Sequence, residues 1–209
     1  MDKKFYIITN NLFDDSEFAY GMQNKVNHKT GEAKICQGCG VYISMLEWLP
    51  PFEVNVSKKK LADFIYGPFV GFIISKKFKR KFELTNLKGV VSFKKVDLYY
   101  KKKLLEEEYY YADIEIVNAF IDLSLIEFEK KELCDTCQKG RSIIGRIDGV
   151  HFETPDRITE DVFFTTAIGQ SVVFLSENFR EFILKEEFTN VTLLNSTKFR
   201  RDIYDPNYR

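Results

Sequence analysis

Histidine occurs twice in this chain, cysteine four times and tryptophan once, and its 31 basic side chains are cancelled by 31 acidic ones. The only imidazoles, His28 and His151, lie in a turn-rich stretch and beside Phe152, where a lone histidine is ordinarily a satisfied surface or core residue. There is no H-E-x-x-H, no G-x-S-x-G, no phosphate-binding Walker loop and no G-x-G-x-x-G. Their absence removes the positive case for a zinc protease, an α/β-hydrolase, a nucleotide triphosphatase or a dinucleotide-binding enzyme. Zero net charge leaves no overall field to draw in DNA, RNA or an anionic membrane. The longest apolar run, Ile65 to Ile74, is broken by Gly67, Pro68 and Gly71 and is far shorter than the roughly 20 residues that span a bilayer. At the start, Met1-Asp2-Lys3-Lys4 leads only to Phe5-Tyr6-Ile7-Ile8 before Thr9-Asn10-Asn11, too short an apolar core for a signal peptide. The expectation is a cytoplasmic protein with no membrane partner.

What is present is ample apolar material. The 209 residues are 44% apolar with 20 Phe and 11 Tyr, enough to fill one sizeable domain or two small ones. All four cysteines fall in two C-x-x-C pairs, Cys36-Gln37-Gly38-Cys39-Gly40 and Cys134-Asp135-Thr136-Cys137-Gln138. In a reducing compartment such pairs hold metal or perform redox chemistry rather than form structural disulfides. The spacing lets two sulfurs of one tight turn reach one ion, and two such turns close a tetrahedral shell with no position left for water. The first expectation is a structural zinc held by Cys36, Cys39, Cys134 and Cys137, with Gly40 free to take the positive φ that lets backbone amides approach sulfur. A redox dithiol is the second reading; it needs a C-x-x-C that opens a helix, whereas Gly40-Val41-Tyr42-Ile43 reads as strand. Simple buried thiols are the third.

One pattern occurs twice. Phe69 to Ile74 is a buried-strand run, Ser75 an N-cap, Phe78 and Phe82 one helix face, Asn86-Leu87-Lys88-Gly89 the helix end, and Val90-Val91-Ser92-Phe93 a returning strand. Ser171 to Leu175, Ser176, Phe179 with Ile183, and Val191 to Leu194 restate it. Ser75 to Ser176 is a shift of 101 positions; both cysteine pairs, and Asp63 to Asp161, shift by 98. Paired aspartates can perform acid–base catalysis, but at the head of a strand they favour turn capping. The expected fold is α+β: two similar halves, 1–98 and 99–209, an internal duplication of strand, short Ser-capped helix and strand, joined by the four-cysteine zinc site. Phe5 to Thr9 reads as a strand stopped by Asn10-Asn11, Val41 to Trp48 as one ended by Pro50-Pro51, and Asp113 to Val117 and Ile121 to Phe128 as two more. Between the halves, Tyr99-Tyr100, Lys101-Lys102-Lys103, Glu106-Glu107-Glu108 and Tyr109-Tyr110-Tyr111 form either a solvated connection or a binding surface.

The Cys36-Gln37-Gly38-Cys39-Gly40 knuckle, Trp48 with Pro50-Pro51, and Tyr109-Tyr110 upstream of Cys134-Asp135-Thr136-Cys137 resemble the double-CXXCG-motif immunity proteins of bacterial polymorphic toxin systems. The segment from Gly169-Gln170 through Ser176-Glu177-Asn178-Phe179-Arg180 to Phe188-Thr189-Asn190-Val191 is similar to the C-terminal part of that family. The resemblance implies a non-enzymatic cytoplasmic protein that binds and neutralises a cognate protein toxin, with Cys36, Cys39, Cys134 and Cys137 as metal ligands. Gln138 stands where the pattern has glycine, and the nearest glycine is Gly140. No contact residues come with the resemblance; aromatic and acidic density nominates Tyr99, Tyr100, Glu106, Glu107, Glu108, Tyr109, Tyr110 and Tyr111. The alternative is a zinc-ribbon-like nucleic-acid-binding or regulatory module using Lys58-Lys59-Lys60, Lys76-Lys77 and Lys79-Arg80-Lys81, against which the balanced charge argues. An oxidoreductase would require a low-pKa thiol.

Overall fold

A computed structural model describes residues 3–9, 17–67, 70–202 and 205. Asn10, Asn11 and Phe69, expected to stop one strand and open another, lie outside the described residues. The strands of the first part of the chain are β1 (Phe5–Thr9), β2 (Gly21–Gln23), β3 (Lys29–Thr30), β4 (Trp48–Leu49), β5 (Glu53–Val56), β6 (Phe64–Ile65) and β7 (Ile73–Ser75), followed by helix α1 (Lys76–Phe82) and β8 (Val90–Tyr100). Then come β9 (Lys103–Leu104), β10 (Tyr109–Ile114), β11 (Ile116–Val117), β12 (Ile126–Lys130), β13 (Ile143–Ile147), β14 (Val162–Thr165), β15 (Gly169–Ser176), helix α2 (Glu177–Lys185), β16 (Thr192–Asn195) and β17 (Arg201–Asp202). The class is α+β, dominated by strands.

Hydrogen bonding joins β11-β14-β15-β1-β16 into one sheet and β2-β5-β8-β10-β7-β6 into another, with β9 paired to β8. Two small sheets, β12-β13-β17 and β3-β4, carry the cysteine turns. In β1 the period of two is visible, Phe5 and Ile7 buried and Tyr6 and Ile8 half-buried. The residue 98/99 division falls inside β8, and β10 lies between β8 and β7 in the larger sheet.

Both helices form for the reason the sequence gives. Ser75 Oγ accepts the Phe78 N–H and Ser176 Oγ accepts the Phe179 N–H, satisfying one otherwise orphaned donor in each first turn. Asp63 and Asp161 are used in structure: their Oδ1 atoms each accept a 2.6 Å bond from the hydroxyl of the capping serine. Helix α1 stops at Phe82, short of the expected Asn86–Gly89 terminus, because the Thr85 hydroxyl bonds the Phe82 carbonyl and closes the last turn. The buried faces, Phe78 with Phe82 and Phe179 with Phe182 and Ile183, meet in the largest core cluster beside Phe64, Phe72, Phe164, Leu175 and Phe188. That core draws on both parts of the chain, and the Phe78 and Phe179 rings lie 6.3 Å apart.

Two strand expectations are corrected. Val41 to Trp48 makes one isolated bridge, Tyr42 to Ile35, and joins a sheet only at β4. Tyr42, Met45 and Leu46 are exposed, so no core face stabilises a pleat there. Among the described residues its backbone pairs only with that of the facing arm, by bonds that include the Ile43 N–H to the Lys34 carbonyl and the Glu47 N–H to the Glu32 carbonyl, with Ser44 Oγ accepting the Lys34 N–H. Its end at Pro50-Pro51 is as expected, with a cis peptide between the prolines. Ile121 to Phe128 contains a 3-10 turn, Leu123–Leu125, because the Asp122 carboxylate accepts the Ser124 N–H and caps it.

Candidate functional site

Each cysteine pair sits at the tip of a hairpin. From β3 the chain runs out to Cys36 and Cys39 and returns through β4; from β12 it runs out to Cys134 and Cys137 and returns through β13. The arms are tied alike, the Lys34 N–H donating to Ser44 Oγ at 2.7 Å and the Glu132 N–H to Ser142 Oγ at 2.9 Å. At the tips the Gly40 N–H bonds the Cys36 carbonyl at 2.9 Å and the Gln138 N–H bonds that of Cys134 at 2.7 Å. Gly40 and Gln138 both have positive φ, 73° and 60°, so glutamine adopts the backbone turn that glycine makes in the first knuckle.

The two tips meet. Cys36 Sγ is 3.9 Å from Cys134 Sγ, Cys39 Sγ is 3.9 Å from Cys137 Sγ, and all four sulfurs lie within 4.8 Å of one another. A tetrahedral ion with bonds of ~2.3 Å to sulfur requires S···S edges of ~3.8 Å; the two 3.9 Å pairs already have that spacing, and the four side chains could hold a metal ion. Contact is close enough that a Cβ on Gly38 would lie 2.2 Å from Thr136 Oγ1. Lys139 Nζ reaches across to the Tyr42 carbonyl at 2.8 Å.

The thiols do not ionise alike. N–H groups of Cys137 and Thr136 point at Cys134 sulfur and bring its pKa down to about 6. At Cys39 the Val41 N–H favours thiolate but is outweighed by burial and by the three neighbouring thiols, which push the group up to about 12. Burial raises Cys137 as well. The Cys134 sulfur therefore carries charge readily while Cys39 and Cys137 resist; a bound cation would remove that conflict, thiolate ligation displacing the remaining protons.

Sequence reasoning missed Gln138. Its side-chain amide accepts the Ile121 N–H and donates to the Ile121 carbonyl, both at 2.7 Å, and also donates to Glu153. It is buried, and it pairs with the backbone as a strand would, fastening the second knuckle to the body. The only available signal was its departure from glycine. Among the nominated surface residues, Glu106 and Glu107 are exposed, Tyr99, Tyr100, Glu108 and Tyr110 half-buried, and Tyr109 and Tyr111 buried against Trp48, Val54 and Ile73. Glu108 accepts a 2.6 Å bond from Lys76. A cleft of about 280 Å³ lies on the second knuckle's hairpin, its polar lining supplied by Lys139, Ser142 and Arg201.

On this α+β scaffold the four cysteines converge on one cluster of sulfurs that could hold a metal ion. The chain belongs to the Immunity protein family (Imm11), whose model matches residues 8–198. No curated protein is matched. The resemblance to immunity proteins is thereby borne out, and with it a role in toxin immunity. No helix among the described residues is long and apolar enough to cross a membrane.

Proposed function

We propose that this protein protects its bacterium by binding a cognate protein toxin of a polymorphic toxin system one to one in the cytoplasm and occluding it, without catalysis. The carrying observation is family membership across nearly the whole chain. The thiolate cluster supports it, because four protein ligands leave a metal no open coordination site. The metal is zinc, in a structural role: four thiolates at tetrahedral spacing suit a borderline-soft ion with no geometric demand of its own. Metal analysis of protein purified without added zinc tests this; about one equivalent per chain is expected, and less than about half, with all thiols freely reactive, overturns it.

The contact surface is the segment of Tyr99, Tyr100 and Glu106 to Tyr111, with Glu106 and Glu107 presented outward and Tyr109 and Tyr111 anchoring the strand from within. A nucleic-acid partner is disfavoured locally as well as globally, since Lys76, Lys77, Lys79 and Lys81 are each paired with a carboxylate, of Glu108, Asp63, Glu83 and Glu186. Co-expression with the product of the adjacent gene, scored for rescue from toxicity and for a 1:1 complex, tests the function. Loss of rescue in Tyr99→Ala/Tyr100→Ala and Glu106→Ala/Glu107→Ala chains tests the surface.

The chain is also an internal duplication. Supporting this, structural bonds recur at the shifts seen in the sequence. Asn24 N–H to Glu53 carbonyl is restated by Asp122 to His151, and Val26 N–H to Asn24 Oδ1 by Ser124 to Asp122. The Ser75 and Ser176 N–H groups bond the Asp63 and Asp161 carbonyls at 2.9 and 2.8 Å.

A further inference from the structure

We propose that the two copies have exchanged their first strands, each completing the other's sheet, so that the halves are interlocked independently of any metal. This rests on the duplication proposed above. Each copy begins with a strand upstream of its own cysteine knuckle: β1 before Cys36 and β10 before Cys134. Yet β1 lies between β15 and β16, the strands flanking α2, and β10 lies between β7 and β8, the strands flanking α1. The two neighbourhoods have the same order, β14-β15-β1-β16 and β6-β7-β10-β8.

The registers agree on the side of the strand that enters each helix and differ by one residue on the side of the returning strand. Phe5 is opposite the capping Ser176 and Tyr109 opposite the capping Ser75; Ile7 faces Phe174 and Leu194, and Tyr111 faces Ile73 and Lys94. The next position carries the same contact twice, with Arg180 5.0 Å from the Tyr6 ring centroid and Lys79 5.2 Å from that of Tyr110, each a cation over an aromatic face. Traffic after the helices also crosses between copies. Thr189, beyond α2, donates its N–H to Asp63 Oδ2 and accepts the Phe64 N–H; Lys88, beyond α1, donates to Asp161 Oδ2 and accepts the Val162 N–H. A chain held only at the cysteine cluster would show none of these bonds. Loss of metal therefore frees the knuckle hairpins while the exchanged sheets keep the halves joined.

The test places a photoreactive benzoylphenylalanine at Ile8 of the full chain and maps its cross-links by mass spectrometry, with and without a chelator. Exchange predicts cross-links to the peptide holding Thr192–Asn195, the register partner of β1, in both conditions. Cross-links to Val90–Lys95, the matching strand of its own copy, overturn the exchange and leave the duplication standing. Links to Phe174–Ser176, on the other side of β1, also support the exchange, and failure to link to any of these peptides overturns it. Links to Thr192–Asn195 that vanish on chelation overturn the independence from metal. The same probe at half-buried Tyr6, expected to reach Leu175 and Asn195, repeats the test at a site already occupied by an aromatic ring.

Discussion

At the scale of single residues, two positions do work that their types do not announce. Gln138 supplies both partners of the Ile121 backbone. Gln138→Ala is expected to destabilise the protein by roughly 1–3 kcal/mol, since buried backbone groups lose their bonds. Gln138→Gly should lose less, because glycine relieves the positive φ; thermal or denaturant melts of the pair decide the order. Gly89 has φ +107°, and a Cβ there would lie 1.8 Å from the Val162 carbonyl oxygen. Gly89→Ala is therefore expected to cost about 3 kcal/mol or more, read from the same melts. At Glu177 the bond from the Tyr6 hydroxyl, 2.6 Å long, and then Arg180 hold the carboxyl below its ordinary 4.5. Its contribution to stability is complete above that ordinary value and is lost as pH falls through the lowered one. Tyr6→Phe should move the Glu177 titration upward, as followed by carboxyl NMR. Residue types suggested that Asp63 and Asp161 cap their own turns, whereas their carboxylates accept from the helix-capping serines and from Thr189 and Lys88; nor did the types place Tyr6 beside Glu177, because that contact depends on a pairing between distant strands.

At the scale of elements, the capped helices were the most legible part of the fold. A serine before an apolar i, i+4 pair carries its own instructions, and both Ser75 and Ser176 obey them. Ser75→Ala and Ser176→Ala should each destabilise by about 1–2 kcal/mol through the lost cap. The two losses should be similar, because each serine serves the same pair of partners, a helix N–H and an aspartate; calorimetry of the single variants makes the comparison. The Val41 to Trp48 arm was misread because its apolar residues look like a strand in isolation, while among the described residues its backbone pairs only with the facing arm, through scattered backbone bonds and one serine hydroxyl, and has no sheet on its other side. Propensity sees side chains, not the missing sheet beside them.

At the scale of the whole molecule, the cysteine spacing foretold that the four sulfurs would meet, and they do. The strand order was not legible, because pairing across most of the chain leaves no local mark; the repeat offsets pointed to likeness between the halves but not to which strand completes which sheet. The expected outcome of chelation is loss of amide protection in the two knuckle hairpins, with protection retained in β1, β10, β15 and β16. Hydrogen exchange measures it.

The placement of β1 carries a consequence for synthesis. Phe5 to Thr9 leave the ribosome well before their sheet neighbours, Phe174–Ser176 and Thr192–Asn195. Contacts so distant in sequence form late and slowly, so the nascent chain must keep an apolar strand waiting unpaired until those neighbours emerge. Folding cannot be completed from the N-terminal residues alone. A chain cut short before Thr192 would leave β1 without a complete berth, so the sheet closes only once Thr192–Asn195 have been made.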